Sequence, residues 1–94
     1  MIVLYGRMEV FLPYASSLKD KRQIVQSLID RLRKRFSISV IEVDNHDLWQ
    51  RSSIGFAAVC RSASETDLIL DAIHTTLDTY SHQLELLDLS WATV

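Results

Sequence analysis

Hydrophobic and polar residues alternate from Ile2 to Leu12. Ile2, Leu4, Met8, Val10 and Leu12 fall on one side, and Tyr5, Arg7, Glu9 and Phe11 on the other. Period two marks a strand with one buried and one mixed face, and Pro13 ends it. From about Leu18 to Phe36 the period changes to 3.6, with Leu18, Val25, Leu28, Ile29, Leu32 and Phe36 on one stripe, the pattern of an amphipathic helix. Ser16 and Ser17 stand before it as N-caps, and Asp20 sits three residues after Ser17 in capping-box spacing. Arg31, Arg33, Lys34 and Arg35 crowd its end, where cations oppose the negative pole of the helix dipole.

The β-branched run Ile38 to Val43 predicts a second strand, and Asp44-Asn45-His46-Asp47 is turn chemistry. Ser52 to Arg61 predicts a third strand, with Ile54, Phe56, Ala58 and Cys60 on one side and Ser53, Gly55, Ala57 and Val59 opposite. Ser64 with Asp67 repeats the capping spacing, and Ile69, Ile73, Leu77 and Tyr80 give a second helix to about His82. Leu84 to Val94 closes the chain as a strand in which Leu87, Leu89 and Trp91 share a face.

The order β-α-β-β-α-β predicts an α+β, ferredoxin-like sandwich over residues 1–94, one domain with a four-stranded antiparallel sheet and two helices on one face. The opposite sheet face is then bare. Tyr5, Arg7, Phe11, Ala57 and Val59 are the candidate interface residues there. A partly apolar sheet face on a domain this small asks for cover, which makes a homo-oligomer one reading of the chain.

At 94 residues, 48% hydrophobic and 23% charged, with two glycines and one proline, the composition is that of a compact domain rather than a disordered or collagen-like chain. The single cysteine excludes an intrachain disulfide, and no Cys/His spacing suits zinc. No signal-peptide pattern opens the sequence, and no apolar run is long enough for a membrane span; the expectation is a cytoplasmic protein. Net charge is −2, far from a nucleic-acid coat protein, yet its distribution is uneven. Residues 1–61 hold all ten Lys/Arg against six Asp/Glu, and residues 62–94 hold six Asp/Glu and no Lys/Arg.

The run Ser17-Leu18-Lys19-Asp20-Lys21-Arg22, followed by Glu42-Val43-Asp44 and by Asp47-Leu48-Trp49-Gln50-Arg51, resembles the YlxP-like family of small bacterial proteins, a domain of unknown function. The resemblance covers nearly the whole chain. It implies a ferredoxin-like fold in a bacterial cytoplasmic protein. In some bacteria the family's genes lie beside those for translation and ribosome-maturation factors. It brings no activity, cofactor or catalytic residue.

Two readings of the first helix stay open. Lys19, Lys21 and Arg22 occupy its first turn, where the dipole disfavours cations; with two serines and free N–H groups they could hold a phosphate. Otherwise Asp20 caps the helix and the basic side chains are solvated. With Arg31 and Arg35 these residues form the candidate anion or RNA contact, electrostatic rather than base-specific.

Other patterns are weaker. Ile54-Gly55-Phe56-Ala57-Ala58-Val59 matches part of an RNA-recognition consensus, but the alternation turns Phe56 toward the helices. Asp67, Asp71, His74 and Asp78 share an outward face of the second helix, an ordinary solvated face more often than a metal site. Trp49 is expected to pack on the edge of its own sheet, and Arg51 to pair with Asp44 or Asp47. No catalytic constellation, metal site or cofactor motif emerges, so the expectation is a non-enzymatic accessory factor touching RNA or the ribosome. The rival is a homo-oligomer joined through the bare sheet face.

Overall fold

A computed structural model describes residues 1–94 as six elements: β1 (Ile2–Phe11), α1 (Leu18–Arg35), β2 (Ile38–Asp44), β3 (Arg51–Cys60), α2 (Ala63–Asp78) and β4 (Glu85–Thr93). The strands form one sheet in the order β2-β3-β1-β4, and every neighbouring pair is antiparallel. This is the ferredoxin-like sandwich that the alternation predicts. Leu4, Met8, Val10, Ile54, Phe56, Ala58 and Cys60 from the sheet pack against Val25, Leu28, Ile29, Leu32, Ile69, Ile73 and Leu77 from the helices in one core.

Both helices start on a serine. Ser17 Oγ accepts from the Asp20 N–H at 3.1 Å, satisfying one of the orphan donors of the first turn. The second helix starts two residues earlier than the Ser64–Asp67 spacing suggests: Ser62 is the cap, and its Oγ accepts from the Glu65 N–H. That helix also stops at Asp78 rather than near His82. Residues 79–83 form turns, in which the N–H groups of Gln83 and Leu84 both bond the Tyr80 carbonyl.

Two irregularities change which residues face the core. Between Glu9 and Val10 the β1–β4 register shifts, pairing Glu9 with Asp88 but Val10 with Leu86. Leu87 is the extra residue of this bulge. Leu86 and Leu89 therefore pack on the core while Leu87 is exposed, so Leu87 does not share a face with Leu89 and Trp91. A second shift between Glu42 and Asp44 makes Val43 the extra residue of β2. Gly55 leaves room for it: a Cβ on Gly55 would lie 2.8 Å from a Val43 methyl.

Gly6 is required more strictly. A Cβ there would stand 2.5 Å from the Ser90 carbonyl oxygen and 2.6 Å from the Phe56 ring. The Phe56 ring lies against the bare backbone of β1 at Gly6, which lets a large side chain fit between sheet and helices.

Candidate interaction surfaces

The first turn of α1 does not gather its cations into an anion site. Lys21 lies on the buried stripe with Val25, Leu28 and Leu32 and is 0% exposed. Its ammonium donates to Glu42 Oε2 at 2.9 Å and to the carbonyls of Asn45 at 2.7 Å, His46 at 3.1 Å and Arg51 at 3.4 Å. Expected among the phosphate contacts, Lys21 is instead spent inside the protein. Burial disfavours a bare ammonium strongly, and this one is fully partnered.

The serines are occupied as well. The Asp20 carboxylate accepts from the Ser16 N–H at 3.1 Å and from its hydroxyl at 2.7 Å. These bonds, the hydroxyl first, hold Asp20 below its ordinary pKa of 3.8. The Ser16 hydroxyl and the Ser17 Oγ are thus both engaged within the chain.

Glu42 faces the helices beside Ser52. Its Oε2 accepts from the Ser52 hydroxyl as well as from Lys21, and its Oε1 lies 2.8 Å from His46 Nδ1. Burial pushes this carboxyl up, but the bonds from Ser52 and Lys21, with the charge of Lys21, outweigh it and bring the pKa below 4.5. The loop from Asn45 to Gln50 is thereby tied to α1. Gln50 ties it to the β1–α1 connection too, its amide donating to the Pro13 carbonyl while its own carbonyl accepts from the Leu12 N–H. The Ser17–Arg22, Glu42–Asp44 and Asp47–Arg51 segments meet here as a structural clasp. Trp49 is 53% exposed on this tethered loop.

The remaining cations of α1 divide between its outer face and its flanks. Lys19, Arg22, Arg31 and Lys34 line one polar trough with Gln23, Gln26, Ser27 and Asp30. Arg31 also reaches toward α2, lying 5.5 Å from the Tyr80 ring centroid and donating to Thr79 Oγ1. Arg35 donates to Thr76 Oγ1, and Arg33 caps the Val40 carbonyl of β2. Of the expected group, Lys19, Arg22 and Arg31 share this trough, whereas Lys21 is buried and Arg35 turns to Thr76. Beside this helix α2 carries Asp67, Asp71 and Asp78 exposed, and these with His74 form no grouping able to hold a metal ion.

The open face of the sheet carries Tyr5, Arg7, Phe11, Ala57 and Val59, as the alternation requires. Direct pairing sets them in rows: Val3 with Val59, Tyr5 with Ala57 and Ala92, Arg7 with Gly55 and Ser90, Glu9 with Ser53 and Asp88, Phe11 with Arg51 and Glu85. The β2 residues Ile41 and Val43, which sequence reasoning left out, join this face; Ile41 pairs with Gly55. Tyr5, Ile41, Val43 and Val59 are 49%, 54%, 43% and 64% exposed. The face is thus apolar at the Val3 end and polar at the Phe11 end.

Toward the polar end Arg7, Glu9, Asp44, Asn45 and Ser53 satisfy one another. Arg7 pairs with Glu9 and, at 3.5 Å, with Asp44; Ser53 donates to Glu9, and the Asn45 amide donates to Ser53. Asn45 adopts φ 64° to make this turn, a left-handed conformation that Asn tolerates better than most residues. Burial raises the Glu9 pKa, but Ser53 and Arg7 more than reverse this and hold it below 4.5. Arg51, expected to pair with Asp44 or Asp47, has no intrachain ion pair; Arg7 takes Asp44 instead. Phe56 faces the helices, so no aromatic of β3 is offered for base stacking. Cys60 is buried, where thiols are inert.

The architecture defines a member of the ferredoxin-like class with an uncovered sheet face. A VAO-type flavoprotein from Myceliophthora thermophila C1 contains a similar fold, with a TM-score of 0.62 and 12% identity over 99% of this chain but 18% of that one. A dimeric ferredoxin-like protein from an uncultured marine organism matches with a TM-score of 0.54 and 10% identity, over 100% of this chain and 96% of its own. Residues 3–91 match the family described as "Protein of unknown function (DUF503)", and the chain belongs to that family. It is 32% identical over 76 residues to the uncharacterized protein YlxP of Bacillus subtilis (strain 168), covering 81% of this chain and 83% of that one. No helix is long and apolar enough to cross a membrane.

Proposed function

We propose that this protein is a non-catalytic binding protein that works as a homo-oligomer, its subunits joined through the open face of the sheet. One observation carries the reading: Tyr5, Ile41, Val43 and Val59 are all at least 43% exposed on that face, and Tyr5 pairs with Ala57, Val59 with Val3 and Ile41 with Gly55, an adjacent apolar patch of the kind that marks an interaction surface. Four strands of up to ten residues make a platform roughly 30 Å by 15–20 Å, in projected area somewhat below the roughly 800 Å² per partner of a standard interface. Self-association is compatible with this fold, since the similar marine protein is described as dimeric. The non-catalytic part of the reading is supported by the charged groups that do converge, Lys21 with Glu42 and Arg7 with Glu9, which are engaged with each other.

Sedimentation across low micromolar to millimolar concentrations tests the reading. The wild type is expected to self-associate, and Tyr5→Glu with Val59→Glu to give a folded monomer by far-UV circular dichroism. A wild-type monomer throughout, or association that survives both substitutions, would overturn it.

A second reading has its own observation. Lys19, Arg22, Arg31 and Lys34 line the outer trough of α1 against a single acid, Asp30, a surface able to meet the phosphate backbone of an RNA, free or in a ribosome. The acidic α2 beside it ranks this reading second. RNA affinity that falls steeply with salt and is lost in Lys19→Ala/Arg22→Ala/Lys34→Ala would support it; apolar sheet association would be nearly indifferent to salt.

A further inference from the structure

We infer that two copies stack with their strands aligned, β1 of each over β3 of the other, so that Arg51 of each subunit meets Glu85 of its partner. This rests on the sheet-face reading and specifies how the two faces fit.

Two symmetric arrangements bring the open faces fully together. A two-fold axis across the strands would lay the apolar end of each face, Val3, Tyr5, Ala57 and Val59, over the charged end of the other. Arg7, Glu9, Asp44 and Arg51 would then lose water against apolar side chains, at high cost. An axis along the strands lays apolar end on apolar end and polar end on polar end. Both arrangements keep the strands of the two sheets aligned, a preferred geometry for stacked twisted sheets, so the match of apolar and polar ends decides between them.

The aligned arrangement reverses the strand order β2-β3-β1-β4 on the partner, so β3 lies over β1 and β2 over β4. Phe11 pairs directly with both Arg51 and Glu85, so the three share one row across the sheet. On reversal Arg51 comes over the partner's Phe11, one strand away from the partner's Glu85. Stacked sheets lie about 10 Å apart and strands about 4.8 Å, a gap that an Arg and a Glu side chain can bridge together.

The charges are available for this. Both residues are exposed, and neither makes an ion-pair contact in its own subunit; Arg51 acts on its own Glu9 only at longer range. Two-fold symmetry makes the contact twice. The same arrangement sets the partner's Asp88 over Asp44, a like-charge approach offset by Arg7, already on Asp44, and by Arg51 one row away. Charge complementarity across an interface fixes register in this way.

Charge reversal with mixing tests the inference. Arg51→Glu and Glu85→Arg are each expected to weaken self-association by about tenfold or more at low salt, since each turns two attractions into two repulsions. Mixing the two variants is expected to restore association to about the wild-type strength, because in the heterodimer every such contact again joins opposite charges. Mass spectrometry of the native mixture identifies that heterodimer directly. Wild-type dimers with singles that associate normally, or singles that weaken and are not rescued by mixing, would overturn the inference while leaving the sheet-face reading in place. A wild type that never associates would overturn both.

Discussion

Lys21 Nζ stands 2.9 Å from Glu42 Oε2, the one ion pair that fastens a helix to the sheet beneath it. Lys21 is 0% exposed and the Glu42 side chain 14%. The ammonium also holds the carbonyls of Asn45, His46 and Arg51, so the contact fixes the β2–β3 loop as well as α1. Pairing offsets desolvation here; it does not make the site cheaper than an apolar one.

Removing one partner is therefore worse than removing both. Lys21→Met is expected to destabilise the fold by about 3 kcal/mol or more, because Glu42 loses its cationic partner and three carbonyls lose the ammonium that donates to them. Lys21→Met with Glu42→Leu is expected to recover part of that loss. Urea denaturation of the two variants checks it; a Lys21→Met midpoint equal to wild type would refute the assignment.

Acid should loosen the same contact. Glu42 and Glu9 have pKa values lowered in the fold, the bonds from Ser52 and Lys21, and from Ser53 and Arg7, outweighing burial. A lowered folded value means stability that is complete above the ordinary value of 4.5 and lost as pH falls through the lower folded value. Stability is thus expected to decline below that ordinary value. Glu42→Gln should be less stable at neutral pH and show a shallower acid decline, as read from urea midpoints across the acid range.

The two glycines should respond differently to a methyl group. Gly6→Ala meets backbone, the Ser90 carbonyl at 2.5 Å, and is expected to cost about 2 kcal/mol or more and to lower Tm by about 8 °C or more. Gly55→Ala meets a Val43 methyl at 2.8 Å, which a half-exposed side chain can withdraw, and a smaller loss is expected. Thermal melts side by side decide it; equal losses would show that the Ser90 backbone yields.

Ser17→Ala and Ser62→Ala each remove an N-cap acceptor and are expected to cost about 1 kcal/mol. Ser64→Ala, inside α2 and exposed, should cost little. Chemical denaturation distinguishes the two serines of α2, and a larger loss at Ser64 than at Ser62 would move the start of the helix.

The alternation of β1 and β3 and the 3.6 period of α1 determine the element order, the helix-covered face and the bare one, because side chains of period two or 3.6 have only one way to bury together. The sequence carried a hint about Lys21 too. It stands four residues before Val25 and seven before Leu28, on the buried stripe, while Glu42 is in phase with Ile38 and Val40 on the inward side of β2. Two opposite charges at buried phases imply partners.

Local pattern could not say that those two meet, that Arg7 rather than Arg51 takes Asp44, or that bulges at Leu87 and Val43 change which leucine is buried and add a valine to the open face. Each depends on register between strands distant in sequence, where one extra residue turns the following side chains to the other face. That long-range register is settled only when the whole sheet closes against its helices.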